Sequence, residues 1–129
     1  MATFSINLKD GNIQKPDELI VGIDLGTTNS LVAYIKDGAP HCVKGPDDKH
    51  TLVPSVVHFN SDYSITVGDA AREKLISDPT NTIFSVKRLM GKSFKDVANQ
   101  TQFFGYQILD DDTEALVKIR LGDSFFTPI

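Results

Sequence analysis

Two apolar runs joined by four small residues constrain this chain more than any other feature. Residues 19–25 read LIVGIDL, 26–29 read GTTN and 30–35 read SLVAYI. In the first run Leu19, Val21, Ile23 and Leu25 fall on one face of a strand, and Ile20, Gly22 and Asp24 on the other. The second run is apolar on both faces, as in a strand covered on both sides. So short a connection predicts a hairpin.

The loop admits two readings. Asp24 lies at the carboxyl end of its strand, beside Gly22, whose missing side chain permits close approach. A carboxylate there can hold a hard cation, directly or through water. Gly26 and the threonines after it offer backbone N–H groups and hydroxyls that suit phosphate oxygens. The plainer reading is a hairpin turn in which Asp24 accepts loop hydrogen bonds.

The rest of the pattern is mixed. Residues 1–18 form a polar extension with one short strand expected around Phe4 to Leu8, and the domain runs over 19–129. A strand is expected from His41 to Lys44. PSVVHF (54–59) and SITVG (64–68) predict a strand pair. DAAREKLIS (69–77) predicts a helix with Asp69 as N-cap, ended by Pro79. NTIFSVKRLMG (81–91) predicts a second helix, capped by Asn81 or Thr82 and stopped at Gly91. One more helical turn is expected within 94–102. FFGYQIL, EALVKIRL and SFFTPI then predict a three-strand meander. The last run ends the chain, which hints that the chain is cut from something longer.

Composition narrows the function classes. The chain has 129 residues, is 40% hydrophobic and 23% charged, and carries a net charge of −4. That suits a soluble folded domain and disfavours a nucleic-acid binder, which needs a basic face. It leaves a phosphate ligand open, because a few local donors outweigh net charge. The single cysteine, Cys42, excludes an intrachain disulfide and is expected to be a small core residue or an inert thiol. No run predicts a membrane span or signal peptide, so a cytoplasmic protein is expected.

Lys87 stands out within 81–91. On a helical wheel at ~100° per residue it falls among Ile83, Phe84 and Met90, inside the apolar arc. A buried ammonium needs a partner. Either its stem packs while the tip snorkels to water, or Lys87 points into a cleft at an anion. GKS at 91–93 is a decoy for a P-loop, since Val86 stands where the first glycine belongs. Asp110, Asp112 and Glu114 begin like a calcium loop, but Ala115 and Leu121 occupy the positions of its glycine and closing glutamate. His41, His50 and His58 lack metal-ligand spacing.

VGIDLGTTNS, VPSVV, VGDAA and NTIFSVKRLMGKSF, in that order and spacing, resemble the DnaK-type chaperones, the heat shock protein 70 family. TNSLVA, LVPSVVHF and SVKRLMG, with the extension before Leu19, resemble its HscA branch, the iron–sulfur cluster chaperones. The resemblance implies an α/β fold: the N-terminal part of an actin-like (ribonuclease H-like) ATPase lobe plus a smaller α+β subdomain. It assigns Asp24 to the magnesium and potassium shell, and Gly26, Thr27, Thr28 and Asn29 to the first phosphate loop. Lys87 takes the role of catalytic lysine at the terminal phosphate of ATP.

The implied parent binds and hydrolyses ATP (leaving ADP) to control its grip on client peptides in protein folding and the stress response. Its implied partners are a J-domain co-chaperone and an iron–sulfur scaffold protein, with no nucleic acid and no membrane. The family's second phosphate loop and second lobe are expected beyond Ile129, so this chain alone is expected not to hydrolyse ATP. A sugar-kinase-type phosphotransferase and a non-enzymatic interaction module are the alternatives.

Overall fold

The computed structural model describes residues 20–45, 48, 50–110 and 116–129. The expected 1–18 extension with its strand, and the acidic positions 112 and 114, lie outside the described residues.

The hairpin forms as the pattern predicts. Strand β1 (Val21–Leu25) runs antiparallel to β2 (Asn29–Lys36), with Asp24 opposite Leu31 and Leu25 opposite Ser30. β2 is central. Its other edge takes β3 (Ala39–Cys42) at one end and β4 (Val53–Pro54) at the other. The third strand thus starts earlier than expected, immediately after a tight turn in which Asp37 and Gly38 both have positive φ.

Coverage of this sheet departs from expectation. Every residue of β1 is exposed, Ile23 at 69%, and β2 is at most half-buried. Among the described residues no layer packs over β1. Cys42 is also exposed rather than in a core.

The run 54–59 divides at Ser55. β4 pairs with β2, whereas β5 (Val56–Phe59) begins a second sheet between β6 (Ile65–Val67) and β7 (Thr82–Phe84). One apolar run thus feeds two sheets.

The helix expected over 69–77 is present as two short pieces, α1 (Asp69–Arg72) and α2 (Lys74–Ser77). Its N-cap is Gly68 at φ 77°, not Asp69. Asp69 sits in the first turn, where its charge suits the N-terminal dipole, and pairs with Arg72 at 2.8 Å.

The helix expected over 81–91 does not form. Thr82, Ile83 and Phe84 are strand β7, in register with His58, Val57 and Val56. Ser85 then takes a left-handed conformation (φ 53°), and Val86–Arg88 form a single 3-10 turn. Three residues of high β propensity beside an open strand edge favour the sheet over a local helix. The 94–102 stretch is helical, as α3 (Phe94–Val97) with a Ser93–Asp96 capping box, followed by 3-10 turns over Ala98–Phe103.

The meander forms as an antiparallel sheet of β8 (Gln107–Leu109), β9 (Lys118–Leu121) and β10 (Ser124–Phe126). The core lies here. Ile83, Leu89, Val97, Tyr106, Ile108, Val117, Ile119 and Leu121 form one buried cluster, joined by Phe59, Phe84 and Phe104. The molecule is therefore a thinly covered hairpin sheet beside a well-packed α+β unit.

Candidate functional site

The 26–29 loop is held by its backbone and by Ser55. A side chain at Gly26 would land on the Asn29 carbonyl, far inside van der Waals contact, so only glycine fits. At Gly22, by contrast, an added Cβ would meet only Ala33 O, at 4.0 Å.

Ser55 braces the loop with two bonds. Its backbone N–H donates to the Thr28 carbonyl at 2.8 Å, and its hydroxyl donates to the Gly26 carbonyl at 2.9 Å. That spends its one proton, so the 2.8 Å contact with Ser30 Oγ is donated by Ser30. Two loop acceptor oxygens are thereby committed to Ser55. Ser55 and Ser30 escaped the sequence reading. The available signal was a lone hydroxyl inside an apolar strand run.

Lys87 arrives from the other sheet. Its ammonium donates to the Leu25 carbonyl at 2.8 Å, immediately before the loop. Phe84 and Leu89 anchor the segment that carries it. Leu89 is 1% exposed. Phase within the apolar arc is therefore not what places Lys87. It is exposed, on a 3-10 turn, and reaches the loop because β7 ends beside it. One of its three N–H donors is spent on Leu25, which leaves two for an anion.

The Phe84 end is fixed by Tyr106. The buried phenol donates to the Phe84 carbonyl at 2.8 Å, and the two rings meet edge-on at 5.8 Å. Burial pushes the Tyr106 hydroxyl far above the usual phenol range, so it stays a donor at any working pH.

Asp24 is exposed on β1, with Gly26 and Thr27 partly buried and Thr28 and Asn29 exposed. An accessible carboxylate thus precedes, by two positions in the chain, a glycine-dependent loop with two threonines, and the Lys87 ammonium bonds the residue between them. This donor set fits a phosphate group with a hard cation. Among the described residues no cluster of three His, Cys, Asp or Glu could hold a metal alone, so a cation here would take much of its shell from phosphate and water.

A short loop between antiparallel strands thus lies next to a lysine that comes from a second sheet. The Hsp70 protein family model matches residues 20–129. The chain therefore belongs to the Hsp70 family, whose nucleotide-binding domain has the actin-like ATPase fold. It is similar to a chaperone protein HscA homolog from Photobacterium profundum, at 50% identity over 95 residues. That match covers 73% of this chain and 15% of the relative. Family membership sets aside the sugar-kinase alternative. No helix among the described residues is long and apolar enough to cross a membrane.

Proposed function

We propose that this chain supplies one wall of the nucleotide cleft of an HscA-like, ATP-dependent chaperone. Gly26, Thr27, Thr28 and Asn29 cradle the phosphates, and Asp24 organises magnesium and potassium through their hydration shell. Lys87 lies against the terminal phosphate and offsets negative charge that develops as the attacking water approaches. The observation that carries this is the Lys87–Leu25 hydrogen bond, which holds a cation with unspent donors at the start of the loop. Magnesium, when bound with ATP, would neutralise phosphate charge, and the residues named here orient the phosphates toward it.

In the longer protein, ATP turnover would control the grip on extended client peptides. The HscA likeness supports a cytoplasmic role with a J-domain co-chaperone and an iron–sulfur scaffold protein. The chain alone presents only one wall and is inactive. Lys87→Ala in the longer protein tests the assignment: nucleotide affinity stays within a modest factor while hydrolysis is lost. An unchanged turnover rate would make Lys87 a surface lysine. Calorimetric titration of residues 1–129 with ATP should show weak or no binding, and tight binding overturns the one-wall reading.

A further inference from the structure

Lys87 leaves its sheet through a strained corner. Ser85, two residues before it, has a left-handed backbone at φ 53° without being glycine. That conformation costs energy and persists only where the surroundings impose it. Downstream of the corner, the Arg88 N–H donates to the Ser85 carbonyl at 3.0 Å and the Leu89 N–H to the Val86 carbonyl at 2.9 Å, and the Leu89 side chain is buried. Upstream, the corner opens from Phe84, whose carbonyl accepts the Tyr106 phenol at 2.8 Å.

The bond falls on the one peptide that decides the corner. The Phe84 carbonyl belongs to the plane joining Phe84 to Ser85, which turns about two soft dihedrals, ψ of Phe84 and φ of Ser85. Flipping that plane would carry Ser85 from positive to negative φ, the region a serine prefers, and would redirect the turn that carries Lys87. A donor held on the carbonyl opposes the flip. Tyr106 can hold that donor still. Its side chain is buried, and the Phe84 and Phe104 rings meet it at 5.8 and 5.2 Å. The ring alone accounts for the packing, since a phenylalanine would fill the same space. What the hydroxyl adds is the bond to Phe84.

We propose that Tyr106 is a positioning residue for ATP hydrolysis in the longer protein. Its hydroxyl locks the Phe84–Ser85 peptide, which keeps Ser85 left-handed and holds the Lys87 ammonium beside the phosphate loop. It touches no reacting atom and acts through Lys87, so the inference rests on the role proposed above for that lysine. A lysine aimed at a terminal phosphate needs such support, because a misplacement of about 1 Å can cost about a hundredfold in rate.

Tyr106→Phe tests it, since it removes the one bond and keeps the ring. By hydrogen-exchange NMR on residues 1–129, the Arg88 amide should exchange about fivefold faster, the equivalent of one hydrogen bond. In the longer protein, single-turnover hydrolysis should slow about tenfold while ATP affinity stays within about twofold. Added to Lys87→Ala, the change should slow the residual rate no further, because residues acting as a unit do not add. Ile119→Val trims the same core without touching the hydroxyl bond, and should leave both the Arg88 amide and the rate unchanged. A full rate in Tyr106→Phe beside an inactive Lys87→Ala overturns the proposal and leaves the lysine's role standing. So does an equal loss from Ile119→Val, which would make Tyr106 a packing residue only, or a further loss on the Lys87→Ala background. A full rate in Lys87→Ala overturns the lysine's role and this proposal with it.

Discussion

The Lys87 ammonium and the Leu25 carbonyl oxygen lie 2.8 Å apart although 62 positions separate them in the chain. Because Lys87 is exposed, this bond is a positioning contact rather than a source of stability. Lys87→Met is therefore expected to leave the unfolding free energy within about 0.5 kcal/mol of the parent value. In the longer protein the same change should cut single-turnover ATP hydrolysis about a hundredfold or more. Denaturant melts and rapid-quench kinetics on one variant separate the two effects.

Gly26→Ala should be the most damaging small change in the loop. The new methyl collides with the Asn29 carbonyl, which is backbone and cannot swing aside. A cost of about 1–3 kcal/mol is expected, as for other forced backbone distortions. Gly22→Ala, where the space is open, serves as the comparison: urea midpoints should fall clearly for the first and far less for the second.

Ser55→Ala removes the hydroxyl brace from the Gly26 carbonyl but keeps the backbone bond to Thr28. A loss of about 1 kcal/mol follows for one hydrogen bond. Amide hydrogen exchange at Thr27 to Asn29 should accelerate by about fivefold, the equivalent of that energy. Unchanged exchange would show that the loop holds its shape without Ser55.

Thr82→Val keeps shape and strand propensity while deleting a fully buried hydroxyl. It orphans the His58 Nδ1–H and removes the donor to the Asp78 carbonyl. The expected cost is about 2 kcal/mol or more, since a buried donor is left unpaired. Thr82→Ser should lose less. Equal melting temperatures for the two variants would remove the network from the list of stabilising features.

Acid sensitivity has a definite sign. Asp96 accepts from the Ser93 backbone N–H and hydroxyl, which lowers its carboxyl below the ordinary aspartate range. Asp78 is lowered chiefly by the Asn81 side chain. A depressed carboxylate contributes stability that is present above the unfolded value and lost as pH falls through the folded one. Stability should therefore be level from neutral pH to about 5 and decline below about 4. Asp96→Asn should flatten part of that decline in pH-dependent melts.

The hairpin, the meander and the helical 69–77 stretch were legible because each is a local pattern: alternation, turn residues, or a run of helix formers stopped by a proline. The 81–91 stretch was not. Ile83, Phe84, Val86 and Met90 share a helical arc as well as they fill a strand, and only the free edge of β5 decides between them. Such an edge is a long-range partner that no window of eleven residues contains. The same limit hid Ser55, whose partners lie 25 to 29 positions earlier. The exposure of Ile23 and Leu25 was equally invisible, since alternation marks an apolar face without saying what covers it. Lys87 was singled out for a burial it does not have, and its place beside the loop rests on β7 rather than on helical phase.

The division at Ser55 has a metrological consequence. Val56, the next residue, is the rung partner of Phe84, and Phe84 stands three positions before Lys87. The distance from loop to ammonium is thus gauged by one serine, one rung and one turn, not by the chain between. Length changes at the 60–64 turn or after Ser77 should pass almost unnoticed at the loop. A one-residue slip between Val56 and Phe84 would put the lysine out of gauge altogether.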